Sequence, residues 1–207
     1  GLLRAEGIRV RQLSELQRRL LIEECASGLP AALLESCGGA NAVPGIAAHL
    51  LRLINQLKQA TLEPEDFRAR LRGAGDAMDT LVAAAYAAYQ LRLKEDGLFD
   101  VPGMFWAAAA VCDERLPKCL EGVEALLLDG FDDFTPSEFN LLRRLAAQVP
   151  HLVIGLNFDA RPSRRDLYLL QHATAERMRA EFEVTREDFT PPSPVGRTAF
   201  AAEHVLW

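Results

Sequence analysis

No apolar run in the 207 residues approaches the roughly 20 residues that a membrane-spanning helix needs. The opening stretch, GLLRAEGIRVRQ, lacks the charged, then apolar, then small-residue layout of a secretory signal. A start at Gly1 reads as an excised piece of a longer chain. Metal-ligand spacing is missing as well: Cys25, Cys37, Cys112 and Cys119 form no CxxC pair, and no histidine stands near them at ligand distance in sequence. Cys112 and Cys119, seven apart, would share a helix face but for Pro117. All four are expected to be reduced packing residues of a cytoplasmic protein. His49, His151, His172 and His204 are scattered without an acid or cysteine partner, so nucleophilic catalysis of the Cys/His or Ser/His kind has no support. Excess positive charge is absent, the formal net charge being −6; any DNA contact must be a local basic patch or lie outside these residues. A Gly-rich phosphate loop ending in Gly-Lys-Ser/Thr is nowhere in the chain. There is no internal repeat and no low-complexity tract.

What is present suits one large or two small globular domains. Up to residue 121 the pattern is almost entirely helical. Ser14 and Gln17 have capping-box spacing, with Leu16, Leu20 and Leu21 following as one face, and Gly28 ends that helix. Pro30 opens a short helix to Glu35, broken by CGGAN. Pro44 starts a longer one with Ile46, Leu50, Ile54 and Leu57 as its stripe, and Pro64 another to Leu71. Between Asp76 and Glu95, Met78, Leu81, Val82, Ala85, Tyr86 and Tyr89 recur at three- and four-residue steps, until Asp96-Gly97 stops the helix. An alanine-rich helix follows from Asp100 to Glu114, carrying Phe105 and Trp106. At this spacing these aromatics read as core rather than as a base-stacking platform.

The texture changes at Val123. ALLLD is a short continuous apolar run, as in a strand buried on both faces. Thr135, Pro136 and Glu138 supply an N-cap, a first-turn proline and a capping-box acid for a helix to Gln148. HLVIGLN, from His151, reads as a second buried strand, giving a strand-helix-strand unit with a right-handed crossover expected. A helix over Asp166–Ala180 follows; FEVTRE is a candidate third strand, TPPSPVGR a loop, and Thr198 to Trp207 helical.

Chemistry concentrates at the end of the first strand. An acid at the carboxyl end of a buried parallel strand sits where open α/β sheets bind ligands. In phosphate-transferring ATPases it holds magnesium, often through water, and the following Glu positions the attacking water. Asp129 fits the first role. Gly130 has no side chain for the second, and Asp132 and Asp133 stand elsewhere on the loop. The plainer reading is that an apolar strand ending in Asp-Gly begins a turn. Arg161, Arg164 and Arg165, with Tyr168 nearby, read either as a phosphate-contacting loop with a stacking aromatic or as a solvated charged loop. Arg143 and Arg144 read as an exposed helix face.

ALLLDGFDDFTPSEF resembles motif II of UvrD-type DNA helicases, apolar residues followed by Asp-Glu-x-Gln-Asp-Thr. Asp129 matches the first Asp, Gly130 stands for the Glu, Asp132 for the Gln, and Asp133 matches the second Asp. DGFDDFTPSEFNLLRRL is similar to the corresponding region of AddB, the B subunit of the bacterial ATP-dependent helicase/nuclease; Gly130, Phe131, Phe134, Thr135, Pro136, Leu141, Leu142 and Leu145 match. The resemblance extends to IRVRQLSELQRRLLIEE before the helical region, to HLVIGLNFDARPSRRDLYLLQHATAERM as a degenerate motif III region, and to TAFAAEHVLW.

The resemblance implies an α/β protein: a mostly helical insertion joined to part of a parallel P-loop-NTPase-like sheet. The core would start over residues 1–27, the insertion cover 28–115, and the α/β segment 116–207. It implies a non-motor, DNA-binding and scaffolding region of an AddB-like subunit in double-strand break repair, with DNA and an AddA-like helicase/nuclease subunit as partners and no membrane. Asp129, Gly130, Asp132 and Asp133 would be a nucleotide/magnesium site remnant, and Arg161, Arg164, Arg165 and Tyr168 DNA contacts. No cofactor is expected in this piece; ATP and magnesium belong to the intact parent. The nuclease motif and cluster cysteines of that family are absent here. Two alternatives stay open: a piece of an active UvrD-type helicase, and a protein-interaction module on a decayed nucleotide-binding fold.

Overall fold

The computed structural model describes residues 1–35, 37–71, 75–156 and 166–183. The chain is α/β and mostly helical, with two small parallel sheets among the described residues. It divides into two compact units, residues 1–121 with 135–145, and residues 122–134 with 146–207. No helix of the described residues is long and apolar enough to cross a membrane.

The first unit contains α1 (Leu2–Ala5), α2 (Glu15–Ser27), α3 (Ala31–Glu35), α4 (Val43–Gln59), α5 (Pro64–Arg70), α6 (Ala77–Glu95) and α7 (Val101–Glu114). Local signals set the ends. Ser14 and Gln17 close the expected capping box on α2, and Asp76 and Asp79 close another on α6. Gly97, at φ +62°, carries the chain out of α6. The core is built where α2, α4 and α6 meet, from Ile22, Ala47, Leu50, Ile54, Leu81, Tyr86 and Tyr89 among others. Tyr86 and Tyr89 are fully buried, as their helical spacing predicts, and Phe105 and Trp106 are half-buried.

The face expected for α2 is corrected. Leu21 is buried, but Leu16 and Leu20 are exposed; the inward stripe is Leu21, Ile22, Cys25 and Ala26. At about 100° per residue, Leu16 and Leu20 fall on the opposite side from that stripe. A pair of two-residue strands also interrupts the stretch read as almost entirely helical. β1 (Arg11–Gln12) and β2 (Leu98–Phe99) pair in parallel, Arg11 with Leu98 and Gln12 with Phe99. Two residues are too few to show alternation in a sequence.

The cysteines are free; Cys25 and Cys112 are buried, Cys37 half-buried, but Cys119 is exposed and so is not a packing residue. Arg144 is not simply an exposed residue: its Nε donates to Asp113 at 2.6 Å, and Nη1 reaches the Asn140 side chain.

The helix α8 (Pro136–Ala146) starts as read, with Thr135 N donating to Glu138 Oε2 at 2.8 Å and Glu138 N to Thr135 Oγ1 at 3.4 Å, and ends two residues earlier than expected. In the second unit, β3 (Ala125–Leu128) and β4 (His151–Ile154) pair in parallel, Ala125 with His151 through Leu128 with Ile154. Their burial departs from the reading. Leu127 and Val153, partners in register, are both exposed, and Leu126, Leu128, Leu152 and Ile154 are only half-buried. Parallel strands bury both faces only when neighbours cover them, and among the described residues this sheet has two strands. The helix α9 (Leu169–Glu181) follows, three residues shorter at its start than expected. Most of FEVTRE, and all of TPPSPVGR and Thr198–Trp207, lie outside the described residues.

Candidate functional site

β3 delivers Asp129 at its carboxyl end, and the ladder continues one step beyond the strands, with Gly155 N donating to Leu128 O at 2.8 Å. Asp129 is exposed. Its Oδ1 lies 2.9 Å from where a Cβ on Gly155 would stand. The carboxylate therefore rests against bare backbone of the adjoining strand. Gly130 follows at φ +78°. Residues with a Cβ reach that region only at a cost of roughly 1–2 kcal/mol, so glycine here is a backbone requirement.

The loop then closes on itself and on α9. The Phe131 and Phe134 rings stack with centroids 4.9 Å apart, and Phe134 is buried. Phe134 N donates to Asp133 Oδ1 at 2.7 Å. Gln171 Nε2 donates to Asp132 Oδ1 at 2.7 Å. The Thr174 hydroxyl lies 3.1 Å from both Asp132 O and Asp133 Oδ1 and shares its single proton between them. Arg177 Nη1 donates to Phe134 O at 3.1 Å. Asp132 and Asp133 are thus tied into the protein, whereas among the described residues Asp129 stands apart on the strand end. Glu138, the next acid along, is held in the α8 cap.

Magnesium at a nucleotide site takes one or two carboxylates together with phosphate oxygens. Asp129 at the strand end suits such a carboxylate, and among the described residues no three His, Cys, Asp or Glu side chains come together as a metal group. Of the expected DNA contacts, Tyr168 is half-buried and precedes α9 as its N-cap residue, making no side-chain cap. Arg161, Arg164 and Arg165 lie outside the described residues. The sequence reading missed Gly155, Gln171, Thr174 and Arg177. The three α9 residues recur every third position, a polar stripe visible in the sequence, but nothing local says what it faces.

A second concentration of charge, also missed, is buried in the helical unit. Lys58 Nζ lies 2.8 Å from Asp100 Oδ1 and donates to Gln90 Oε1 at 2.8 Å, with Lys58 and Asp100 both buried. The ammonium sits 5.3 Å from the Trp106 ring centre and 5.7 Å from that of Tyr89. Asp100 also caps α7 through Gly103 N at 2.9 Å, and Trp106 Nε1 donates to Lys58 O at 3.0 Å. Desolvation lowers the Lys58 pKa from its ordinary value, and Asp100 opposes that shift. Burial above all, then the Asp100 charge, pushes the Tyr89 phenol up.

Compared with known proteins, the chain matches the family described as the UvrD/REP helicase N-terminal domain over residues 7–155, well over half its length. No curated protein matches it.

Proposed function

We infer the role of this chain from one premise: it belongs to the UvrD/REP helicase N-terminal domain family. Its relation is therefore to DNA helicases. Within that relation, we propose a non-motor, DNA-binding and scaffolding part of an AddB-like helicase/nuclease subunit that acts on double-strand breaks beside an AddA-like partner. The observation that carries this reading is Gly130 at φ +78° directly after Asp129. The position where a motor places its water-activating carboxylate has no side chain, and its backbone conformation suits glycine. The Phe131, Phe134, Thr135 and Pro136 string supports the AddB-like assignment. ATP and magnesium are functions of the intact parent, with Asp129 the residue, among those described, best suited to face them. The helical stretch over 28–115 is then the insertion, and the free cysteines suit a reducing, cytoplasmic compartment.

Two measurements test the reading. The purified chain should release no phosphate from ATP when single-stranded DNA is added; DNA-stimulated turnover would mean an active motor piece. Fluorescence anisotropy should show DNA binding by the intact parent that weakens steeply with salt, as phosphate contacts require. Charge reversal at Arg164 and Arg165 should weaken that binding. A parent with no salt-dependent DNA affinity would instead be a protein-interaction module.

A further inference from the structure

Gln171, Thr174 and Arg177 are spaced three apart on α9, so they fall along one side of the helix. They meet three consecutive residues of the loop after β3: Gln171 bonds Asp132, Thr174 bonds Asp132 and Asp133, and Arg177 bonds Phe134. Thr174 is buried, at 2 % exposure, and Met178 one turn on is buried too. The contacts are of two kinds. Those to the Asp132 and Phe134 carbonyls satisfy backbone groups of a segment with no helix or strand to satisfy them. Those to the Asp132 and Asp133 side chains engage the two carboxylates of the acidic turn, Asp133 Oδ1 also accepting from Phe134 N.

We propose that α9 is a clasp that fixes the acidic loop, with Thr174 as its positioning residue. The loop has little of its own to hold it. Gly130 contributes no side chain, and the contacts made within the loop are the Phe131–Phe134 stack and the Phe134 N to Asp133 bond. The place of Asp129 at the mouth of that loop is therefore set by α9 as well as by β3. A ligand or partner that shifts α9 releases the loop, and one that seats α9 firmly orders it. The clasp needs neither DNA nor nucleotide, so it stands independently of the proposed function.

Hydrogen exchange on the full 207-residue chain, read by mass spectrometry over peptides spanning 129–135, tests it. Thr174→Val keeps the shape and removes the hydroxyl; it should raise exchange in those peptides tenfold or more while leaving peptides over 77–95 unchanged. Thr174→Ser restores the hydroxyl and should stay close to the parent. Should Thr174→Val unfold the unit, Gln171→Ala, at a half-buried position, should raise exchange over 129–135 alone. Parent-like exchange in Thr174→Val, equal exchange in Thr174→Ser and Thr174→Val, or an unchanged Gln171→Ala in a chain where Thr174→Val does not fold, would each overturn the clasp.

Discussion

The carboxylate of Asp129 and the backbone of Gly155 occupy adjoining strand ends so closely that a Cβ at 155 would stand 2.9 Å from Asp129 Oδ1. The obstructing atom is the tip of an exposed, rotatable side chain. Gly155→Ala should therefore change stability by no more than about 0.5 kcal/mol, because the carboxylate can swing away. It should nonetheless displace Asp129. The check is the Asp129 carboxyl carbon shift by NMR, expected to move, beside a nearly constant thermal midpoint. An unmoved shift would mean that the two residues are not in contact in solution.

Gly130→Glu places a carboxylate directly after Asp129, yet it should not create a motor. At φ +78° the new side chain strains the turn by about 1–2 kcal/mol. Urea denaturation should show that loss, and Gly130→Ala should show a similar one. Phosphate release with DNA should stay at background. Turnover in Gly130→Glu would mean that only the carboxylate was lacking.

Lys58→Met leaves the Asp100 carboxylate buried without its cation, a change that typically costs about 3–5 kcal/mol. Lys58→Met with Asp100→Asn removes the stranded charge and keeps an N-cap for Gly103 N. The double variant should recover most of the loss in urea denaturation. If both variants unfold at the same urea concentration, the ion pair is not what holds α4 to the start of α7.

Stability should fall on the acid side through two carboxylates held by arginines, Glu6 with a covered side chain and Asp113 at the surface. Glu6 is held below its ordinary 4.5, first by the Lys118 backbone N–H and then by Arg115; Asp113 is held below 3.8, first by its hydrogen bond from Arg144. Both bind fewer protons folded than unfolded, so their contribution is present above those values and is lost as pH drops through the lowered ones. Glu6→Gln should flatten the acid slope of stability below 4.5. Lys58 works at the other end: its pKa is lowered from 10.5, so the unfolded chain binds more protons in the window just below that value. Stability from this group should rise as pH climbs through the window, and Lys58→Met should abolish that rise.

The helix starts at Ser14, Asp76 and Thr135 were legible because each cap is a contact between residues three apart. Parallel pairing of ALLL with HLVI was legible for a similar reason: two short apolar runs separated by one helix leave few ways to connect. These elements, and the absence of a side chain after Asp129, follow from local pattern alone. Which apolar residues are covered was decided by neighbours distant in the chain, and so Leu16, Leu127 and Val153 are exposed despite their patterns. The Lys58–Asp100 pair spans 42 residues, and the bonds from Gln171, Thr174 and Arg177 reach back across 39 to 43. Periodicity records which face of a helix is polar. Only the folded chain supplies the partner and the desolvation that turn such a face into a buried ion pair in one unit and a clasp on the acidic loop in the other.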